Sequence, residues 1–462
     1  MNKIRLEEIV KATGGRIVCR GSEEYITGVK HDSRECREGD MFVAVCGVNR
    51  DGHEYISQVL KKGCKTVLIS HDGDWIKDIK EHDATAIMTT DTVYAMGELA
   101  KYYLETLNIK KIAVTGSVGK TSVRDMIYYV LSEKYNCGRN MKNFNNDIGL
   151  PLSIFTFDDS TEATVLEMGM SAFGEIDRLA DIVKPDIGVI TNIGISHMEN
   201  LGSREGIFKA KMEIAKHIPS KENQGALVYA CSDMLTKERT AGNYKQISIG
   251  EEKENDYIIS SVDDMGIDGI KFTLKHLEQR YRISLPVPGK HNAVNGSIAV
   301  AVGELFGISA EDAITGLCKT QLTGRRLKYI KGRHVNVIDD TYNASPDSMK
   351  SALTVLKNSG GSNRKVAVLG DMYELGEESS GEHFDVGRFA GLSGVDLIVA
   401  IGKDSEKIAE GAAAESRDAV YFREKEEFFE KIDELIGFGD IILVKGSRGM
   451  KMEQIVEKLL KY

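Results

Sequence analysis

A strand, a short glycine-containing turn and an amphipathic helix follow one another between residues 111 and 131. Residues 111–115 (KIAVT) form an apolar run typical of a buried strand. In the next segment apolar residues recur at positions 123, 126, 127, 130 and 131, which is the spacing of one helix face. The turn between the two has the sequence GSVGKTS. This order is typical of α/β proteins, in which helices pack against a mostly parallel sheet.

The same alternation of apolar strands and helices extends over most of the chain. We expect strands at residues 41–45, 66–70, 86–88, 163–166 and 187–190, and helices at 55–62 and 92–107. After residue 326 the pattern restarts, with strands expected at 335–338, 366–369, 397–401 and 441–444. The predicted fold class is therefore α/β.

Length and composition predict the domain organisation. At roughly 150 residues per domain, a chain of 462 residues suggests three domains. Residues 323–326 (TGRR) have the composition of a linker, and a helical pattern begins at Thr92. We therefore expect domains at 1–91, 92–326 and 327–462. Small and polar residues follow several strands of the third domain, where parallel sheets bind ligands, unless these glycines only form tight turns.

The charge and cysteine content exclude several classes of protein. The net charge is −10 and no polybasic stretch occurs, so we expect no nucleic-acid partner. No run of about 18 apolar residues occurs, so no membrane span is expected. The charged residues within 1–8 (MNKIRLEE) do not fit a signal peptide. Seven scattered cysteines without a C-x-x-C pair indicate a reduced, cytoplasmic compartment.

The turn GSVGKTS has the chemistry of a phosphate-binding loop. Its glycines let backbone N–H groups close around phosphate oxygens, and the helix N-terminus adds partial positive charge. Lys120 can reach the β- and γ-phosphates of ATP, and the Thr121 hydroxyl can ligate Mg²⁺. Val114 stands where the general pattern has its first glycine, so the loop is shorter. The alternative is a chance Gly-Lys-Thr at a helix start. The loop is also shared by kinases, ATPases and GTPases.

Two later strands are followed by groups that can ligate a metal. Glu167 follows the strand at 163–166, and His197 lies shortly after the strand at 187–190. Taken singly, each is also explained as a surface carboxylate or a satisfied histidine. Together with the phosphate loop they favour a metal site at the carboxyl edge of the sheet.

A series of motifs along nearly the whole chain resembles the Mur ligases, the ATP-dependent amide-forming ligases of peptidoglycan synthesis. The first ninety residues contain DSR at 32–34, GDMFVA at 39–44 and DGH at 51–53. The centre contains NFNNDIGLP at 143–151, EMG at 167–169, HME at 197–199 and GKHNAVN at 289–295. The last third contains DDTYNASP at 339–346, GDMYELG at 370–376 with His383, and KGSRGMKME at 445–453. The Asp-Asn-Pro signature of the branch that adds the third peptide residue is absent, and the last motifs are most similar to the branch that adds D-alanyl-D-alanine.

The resemblance implies both a fold and a reaction. The fold comprises a small α/β uridine-nucleotide-binding domain, a central P-loop ATPase-like domain and a C-terminal Rossmann-like domain that binds the incoming dipeptide. The reaction joins D-alanyl-D-alanine to UDP-N-acetylmuramoyl-tripeptide at the expense of ATP, through an acyl phosphate that the amine attacks. Such a reaction brings anionic groups together and needs cations and fixed dipoles.

The resemblance also implies roles for individual residues. The implied ATP-binding residues are Thr115, Gly116, Ser117, Val118, Gly119, Lys120, Thr121, Ser122, Asn295 (facing adenine), Arg326 (on the γ-phosphate) and Asp340 (on the ribose side). The implied catalytic residues are Lys120, Glu167, His197, Lys211 and Arg326, with Thr121, Glu167 and His197 as Mg²⁺ ligands. Arg325 is the competing choice for the role of Arg326. The implied substrate contacts are Ser33 and Arg34 for the uridine diphosphate, Asn145 and Asn146 for the muramoyl-peptide, and Lys445, Ser447 and Arg448 for the dipeptide carboxylate.

Some of these roles have plain structural alternatives. Asn145 and Asn146 also suit a turn that positions the next helix. Lys211 aligns with a lysine that is carbamylated in several Mur ligases, a reaction that needs a neutral amine and turns a cation into an anion able to ligate Mg²⁺. The alternative for Lys211 is an ordinary solvated helix lysine, like Lys209 two residues away.

Two other functions stay open at this point. One is a ligase of the same family that adds another amino acid, or an enzyme similar to folylpolyglutamate synthase, which the DSR-containing first domain disfavours. The other is a P-loop nucleotide switch, which would have no use for Glu167, Arg326 and Asp340. We expect a monomer. The sequence does not distinguish lysine from diaminopimelate as the third residue of the tripeptide.

Overall fold

The computed structural model describes residues 1–141, 143–194, 198–231 and 242–462. The helices are α1 (Leu6–Thr13), α2 (Ile56–Lys61), α3 (Trp75–Glu81), α4 (Thr92–Thr106), α5 (Lys120–Leu131), α6 (Gly149–Ile154), α7 (Glu175–Val183), α8 (Met198–Leu201), α9 (Arg204–Met212), α10 (His291–Leu305), α11 (Ala310–Cys318), α12 (Pro346–Asn358), α13 (Ser379–Leu392), α14 (Glu406–Ala414), α15 (Lys425–Leu435) and α16 (Glu453–Lys461).

The strands are β1 (Ile4–Arg5), β2 (Arg16–Cys19), β3 (Tyr25–Ile26), β4 (Gly28–Lys30), β5 (Asp40–Val43), β6 (Thr66–Ile69), β7 (Thr85–Met88), β8 (Lys110–Thr115), β9 (Cys137–Arg139), β10 (Ala163–Glu167), β11 (Ile187–Ile190), β12 (Ala226–Ala230), β13 (Lys245–Gly250), β14 (Tyr257–Asp264), β15 (Ile270–His276), β16 (Gln279–Leu285), β17 (Lys328–Lys331), β18 (Asn336–Asp340), β19 (Lys365–Gly370), β20 (Leu397–Ile401), β21 (Ala419–Phe422) and β22 (Ile441–Lys445). The elements predicted from apolar runs are present, with ends that differ by one or two residues.

The amino-terminal part forms a five-stranded sheet in the order β2-β7-β6-β5-β4. Strands β4 to β7 are parallel, and β2 pairs with β7 in the antiparallel sense. All four residues of β6 are buried, and its core also contains Phe42, Ile56 and Ile79. A continuous apolar run rather than an alternating one is expected here, because helices cover both faces of a parallel sheet.

The nine-stranded sheet has the order β16-β15-β14-β13-β12-β11-β8-β10-β9. Strands β12 to β14 are parallel, whereas β15 pairs in the antiparallel sense with both β14 and β16. In β15 the buried residues Ile270, Phe272 and Leu274 alternate with more exposed ones, as expected for a sheet with one face towards solvent. Apolar runs in the sequence did not predict the five strands β12 to β16.

The carboxyl-terminal part forms a six-stranded sheet in the order β17-β18-β22-β19-β20-β21. Only the edge strand β17 is antiparallel to its neighbour. Helices pack on both faces, with α12 and α13 on one core and α15 and α16 on the other. Parallel pairing brings the carboxyl ends of β18, β19 and β22 to one edge, where Asp340, Gly370 and Lys445 stand.

The chain divides into two compact units. The first contains residues 1–113, 135–188 and 213–219, and the second contains 114–134, 189–212 and 220–462. The α/β fold with mostly parallel sheets is confirmed. Within the described residues, no helix has both the length and the hydropathy required to cross a membrane.

Candidate active site

Two glycines shape the loop between β8 and α5. Gly116 and Gly119 have φ values of 149° and 84°, which L side chains rarely adopt. A Cβ on Gly116 would lie 1.9 Å from Oγ1 of Thr191, and a Cβ on Gly119 would lie 3.2 Å from Oδ1 of Asn295. Both positions therefore require glycine because of their backbone conformation. Position 116 requires it also because a side chain would clash with Thr191.

The segment after β11 holds this loop in place. Oδ1 of Asn192 accepts the backbone N–H groups of Ser117 and Val118, at 3.0 and 2.9 Å. Oγ1 of Thr191 donates to the carbonyl of Val118 at 2.6 Å, and the N–H of Gly194 donates to Oγ of Ser117 at 2.9 Å. Hydrogen bonds to both backbone and side-chain atoms thus hold the loop against the segment after β11.

Asn192 is a residue to which sequence reasoning assigned no role. We expected the loop amides to face phosphate, whereas those of residues 117 and 118 face Asn192. An anion at this loop would lie at the N-terminus of α5, where the helix dipole places partial positive charge. The sequence signal that could have identified Asn192 is its position two residues after a buried strand of an α/β sheet.

Lys120 begins helix α5, and its side chain folds back over the loop. Its Nζ donates to the carbonyl oxygens of Gly116 at 2.8 Å and of Ser117 at 3.2 Å. Thr121, the next residue, is buried in the first turn of the helix. A lysine ammonium and a threonine hydroxyl therefore stand together at a helix N-terminus, a combination suited to phosphate and a divalent cation. Thr115 and Ser122 on either side are also buried.

Lys211 lies on α9 and is 1% exposed, in contrast to the exposed Lys209. Burial lowers the pKa of the Lys211 ammonium well below its ordinary value, and the positive charge of Lys120 lowers this pKa further. The interpretation of Lys211 as a solvated helix lysine is therefore wrong. A neutral amine is the form that this environment favours.

Asn295 lies on α10, against the glycine that precedes Lys120. Its Nδ2 donates to Oδ1 of Asn292 at 2.7 Å, and Nδ2 of Asn292 donates to the carbonyl of Pro288 at 2.6 Å. This chain of hydrogen bonds fixes the amide of Asn295 at the side of the phosphate loop.

Asp340 and Lys445 form an ion pair at the edge of the six-stranded sheet. Nζ of Lys445 lies 2.6 Å from Oδ2 of Asp340, and their side chains are 3% and 11% exposed. Nζ of Lys445 also donates to the carbonyl of Asn343 at 2.8 Å, and Oδ1 of Asp340 accepts the N–H of Leu327 at 3.1 Å. Two residues that we assigned to different substrates are thus direct partners.

The two neighbouring arginines of the linker have different surroundings. Nη1 of Arg326 donates to the carbonyl of Thr323 at 3.1 Å, and the guanidinium stacks 3.7 Å above the ring of Tyr342. Arg325 instead lies 3.9 Å from a carboxylate oxygen of Asp339 and 3.6 Å from one of Glu457. Carboxylates therefore offset the charge of Arg325, whereas a carbonyl and a ring hold Arg326 without neutralising it.

The other two residues assigned to the dipeptide differ in exposure. Oγ of Ser447 accepts the N–H of Tyr373 at 2.8 Å, and the N–H of Ser447 donates to the carbonyl of Asp371 at 2.9 Å. Ser447 thereby ties two strand ends together. The side chain of Arg448 is 62% exposed and pairs with Glu453 at 3.2 Å.

In the other compact unit, Glu167 ends β10 and is 3% exposed. Its Oε1 accepts Nδ2 of Asn145 at 2.9 Å, and its carbonyl accepts Nδ2 of Asn140 at 3.1 Å. Oδ1 of Asn146 accepts the N–H of Gly149 at 2.8 Å, at the start of α6. Asn145 therefore orients a buried carboxylate, and Asn146 forms the turn that positions the helix. His197 lies outside the described residues.

Ser33 and Arg34 lie between β4 and β5 in the same unit. Oγ of Ser33 donates to Oε1 of Gln58 at 3.3 Å. Arg34 is 84% exposed and makes a bidentate pair with Asp32, at 2.9 and 2.6 Å. This pair lowers the pKa of Asp32 to about 2. Nζ of Lys62 donates to the carbonyl oxygens of both Ser33 and Arg34, at 2.8 and 3.1 Å.

Three family models match this chain. Residues 25–104 match the "Mur ligase family, catalytic domain", residues 114–303 match the "Mur ligase middle domain", and residues 325–448 match the "Mur ligase, glutamate ligase domain". The three matches lie in this order and together cover most of the chain.

Individual relatives extend over nearly its full length. The UDP-N-acetylmuramoyl-tripeptide–D-alanyl-D-alanine ligase of Bacillus subtilis (strain 168) is 40% identical over 444 residues, which cover 95% of this chain and 94% of the relative. A crystal structure of MurF from Acinetobacter baumannii is 31% identical, with a TM-score of 0.91 over 100% of both chains. The structure of MurF ligase from Thermotoga maritima in complex with ADP is 26% identical, with a TM-score of 0.80 over 94% of this chain and 97% of that one. Similarity at this level, over this much of each sequence, means that the chain belongs to the Mur ligase family.

Proposed function

We propose that the protein joins D-alanyl-D-alanine to UDP-N-acetylmuramoyl-tripeptide with consumption of ATP, as a step of peptidoglycan precursor synthesis. The observation that carries this proposal is the near full-length match to the Bacillus subtilis enzyme of that name. The geometry supports the same chemistry, because a glycine-shaped loop, the Lys120 ammonium and the buried Lys211 occur at one place in one unit.

The residues at the loop fit a nucleoside triphosphate. A Cβ on Gly116 would clash with Oγ1 of Thr191, so the loop takes this shape only with glycine. The N-terminus of α5 and the Lys120 ammonium over the loop place positive charge beside it. In this function ATP supplies the phosphoryl group that converts the tripeptide carboxylate into an acyl phosphate. Lys120 would bind the β- and γ-phosphate oxygens, and Arg326 would compensate charge on the transferred group.

Two of the residues that we assigned to a metal carry oxygen donors, which fit Mg²⁺. Thr121 provides a hydroxyl and Glu167 a buried carboxylate, which are ligand types that Mg²⁺ prefers. We propose Thr121, Glu167 and His197 as the residues that hold the ion. The hydrogen bond from Asn145 would then orient the Glu167 carboxylate.

The remaining residues would bind and orient the substrates. Asn295 would contact the nucleotide next to the loop, and Asp340, held by Lys445, would contact its ribose side. Ser33 and Arg34 would bind the uridine diphosphate, and Asn145 and Asn146 would lie along the muramoyl-peptide. Of the residues proposed for the dipeptide carboxylate, Lys445, Ser447 and Arg448, the exposed Arg448 has the most freedom to reach it.

We further propose that Lys211 is carbamylated. The neutral amine would attack CO₂ and release one proton, which leaves a carbamate anion. Burial and the nearby Lys120 charge both favour the neutral amine, and the same Lys120 charge would stabilise the anionic product. The carbamate would add an oxygen ligand for Mg²⁺.

The proposal also covers the domain boundaries, the oligomeric state and the cellular location of the protein. We propose domains at 1–91, 92–326 and 327–462, an order that three successive family matches support. We propose a monomer in the cytoplasm, without a nucleic-acid partner. The seven free cysteines are compatible with a reducing compartment.

Product analysis tests this function. The protein is incubated with ATP, Mg²⁺, D-alanyl-D-alanine and, in separate reactions, the lysine- and diaminopimelate-containing UDP-muramoyl-tripeptides. ADP, phosphate and a UDP-muramoyl-pentapeptide should appear in equal amounts, as identified by mass. Equal turnover with single amino acids would overturn the dipeptide assignment and leave the ligase class intact. ATP hydrolysis without either substrate would overturn the ligase assignment.

A further inference from the structure

Four metal-ligating side chains cluster in the amino-terminal unit, away from the phosphate loop in sequence. Cys46, Asp51, His53 and His71 each offer a ligand atom, and these atoms all lie within 4.8 Å of one another. Tetrahedral zinc sites separate their ligand atoms by roughly 3.3–3.8 Å, so small side-chain movements would suffice. The roles proposed above for nucleotide and dipeptide use none of the four.

The hydrogen bonds of His53 show that this residue positions Asp51 rather than binding an ion itself. Nε2 of the buried His53 accepts the backbone N–H of Ser70 at 3.0 Å, so a neutral His53 carries its proton on Nδ1. This Nδ1–H faces Oδ1 of Asp51 at 2.6 Å. Both nitrogens of His53 are thereby engaged. The ring acts as an orienting partner for the Asp51 carboxylate, as second partners of metal ligands commonly do.

The other three side chains converge from the accessible side. Sγ of Cys46 lies 3.5 Å from Oδ1 of Asp51, and Nε2 of His71 lies 3.2 Å from Oδ2 of the same carboxylate. Nδ1 of His71 lies 3.3 Å from Oγ of Ser70, which fixes the ring. Cys46 and His71 are exposed, so an ion can enter from solvent without unfolding of the unit.

Aromatic packing holds the histidine pair in position. The rings of His53 and His71 are 4.0 Å apart between centroids, and Trp75 packs against both at 5.2 and 5.3 Å. Packing among the three rings therefore sets the positions of both imidazoles. This preorganisation limits the reorganisation that ligation requires.

We propose that Cys46, Asp51 and His71 bind a divalent transition-metal ion of the zinc class, with His53 as the positioning residue of Asp51. One thiolate, one imidazole and one carboxylate form a donor set that suits Zn²⁺ rather than Mg²⁺ or Ca²⁺, which prefer oxygen alone. Three protein ligands leave a fourth position for water. An ion here would link Cys46 to Asp51 and His71, and would thereby restrict the movement of the loop at 46–53.

Cobalt substitution tests the site on the full chain. The protein is stripped with a chelator and titrated with Co²⁺ in excess Mg²⁺, which occupies oxygen sites. One equivalent should produce a sulfur-to-cobalt charge-transfer band and the intense visible bands of four-coordinate cobalt, and Zn²⁺ should displace them. The residues proposed for the Mg²⁺ site include no cysteine, so a sulfur band does not arise there.

Matched variants assign the ligands. Cys46→Ser should remove the sulfur band, whereas Cys318→Ser, at another exposed cysteine, should retain it. His71→Asn should weaken Co²⁺ binding at least tenfold. His53→Asn should weaken binding and leave the spectrum unchanged, since a positioning residue does not touch the ion. A sulfur band that persists in Cys46→Ser, or the absence of any sulfur band in the unmodified protein, would overturn the proposal.

Thermal unfolding gives a second readout if a variant folds poorly. Zn²⁺ that binds the folded state should raise the Tm of the unmodified protein, by an amount that grows with the logarithm of the ratio of Zn²⁺ concentration to Kd. The rise should be absent in His71→Asn and present in Cys318→Ser. An equal rise in His71→Asn would contradict the site, and a changed cobalt spectrum in His53→Asn would overturn the three-ligand assignment.

Discussion

Asp340 and Lys445 face each other on the neighbouring strands β18 and β22, with 2.6 Å between carboxylate oxygen and ammonium nitrogen. Both side chains are almost completely buried. A charge pair at such a place is held by mutual attraction and by hydrogen bonds to the carbonyl of Asn343 and the N–H of Leu327. Removal of one partner would leave the other charge buried without compensation.

We expect Lys445→Met to lower the free energy of unfolding by about 3–5 kcal/mol, because the Asp340 carboxylate remains without its cation. Urea unfolding measures this loss. The double variant Asp340→Leu, Lys445→Met should recover most of the stability. Arg448→Ala, at an exposed ion pair on the same edge, should change it by less than about 0.5 kcal/mol. An unchanged unfolding midpoint in Lys445→Met would refute the importance of the pair.

Asn192 offers a sharp test of how the phosphate loop is held. Asn192→Ala removes the side-chain acceptor of the N–H groups of Ser117 and Val118, and leaves Ser117 only the backbone carbonyl of residue 192 at 3.2 Å. We expect ATP affinity to fall about tenfold, or about 1.4 kcal/mol. Asn192→Asp keeps an acceptor but places a negative charge beside the triphosphate. It should retain stability and bind ATP more weakly than Asn192→Ala does. Calorimetric titration with ATP distinguishes the two, and the reverse ranking would contradict this account.

The two linker arginines should differ in their effect on turnover. Arg326→Ala should reduce kcat about a hundredfold or more, because its guanidinium, held by a carbonyl and a ring, is proposed to stabilise charge on the transferred phosphoryl group. Arg325→Ala should have a smaller effect, because Asp339 and Glu457 already offset its charge. Steady-state kinetics measures kcat for both variants, and unchanged circular dichroism shows that each variant is folded. A larger loss in Arg325→Ala would assign the role to the other arginine.

Lys120→Ala should abolish turnover while the fold is retained. The residue is half-buried in a loop and helix start and is not part of the apolar core, so its loss opens no core cavity, while the phosphate charge is no longer compensated. Product formation measures the turnover, and circular dichroism of the same sample measures whether the fold is retained. Appreciable turnover in this variant would remove Lys120 from the mechanism.

Lys211→Ala should lose most activity, and acetate or formate should restore part of it by supplying the missing carboxylate. Depletion of bicarbonate should lower the rate of the unmodified enzyme. Lys209→Ala, at an exposed lysine on the same helix, is the matched control and should remain active. Full activity in Lys211→Ala would exclude the residue, and loss without rescue would contradict the carbamate.

Stability as a function of pH gives an independent measure of the Lys211 environment. The pKa of Lys211 in the folded state lies below the ordinary value of 10.5, so between the two values the unfolded chain binds a proton that the folded protein does not. Stability should therefore fall as pH decreases through this range in buffer free of CO₂. Lys211→Met removes this dependence and should be the more stable protein at neutral pH. Equal pH profiles for both proteins would contradict the lowered pKa.

Local pattern was sufficient to predict much of this molecule. Continuous apolar runs predicted β6, β8, β10, β11 and β18–β20, because strands covered on both faces need no polar alternation. The GSVGKTS turn placed Lys120 and Thr121 at the start of a helix, since the glycines, the preceding strand and the helix are all sequence neighbours. The antiparallel strands β14 to β16 were missed, although the buried positions of β15 alternate with a period of two.

Contacts between distant parts of the chain required the tertiary structure. The sequence identifies Asn192, Lys211, Asp340 and Lys445 as polar residues near predicted strands or on helices, but not what each one faces. Three contacts depend on strand order and register. They are the burial of Lys211 near Lys120, the hydrogen bonds from Asn192 to the phosphate loop, and the pairing of Asp340 with Lys445. The composition and spacing of residues therefore determined the fold class and the phosphate loop. The partners of each charged group were decided only by folding, because desolvation and Coulomb interaction depend on distances in space rather than along the chain.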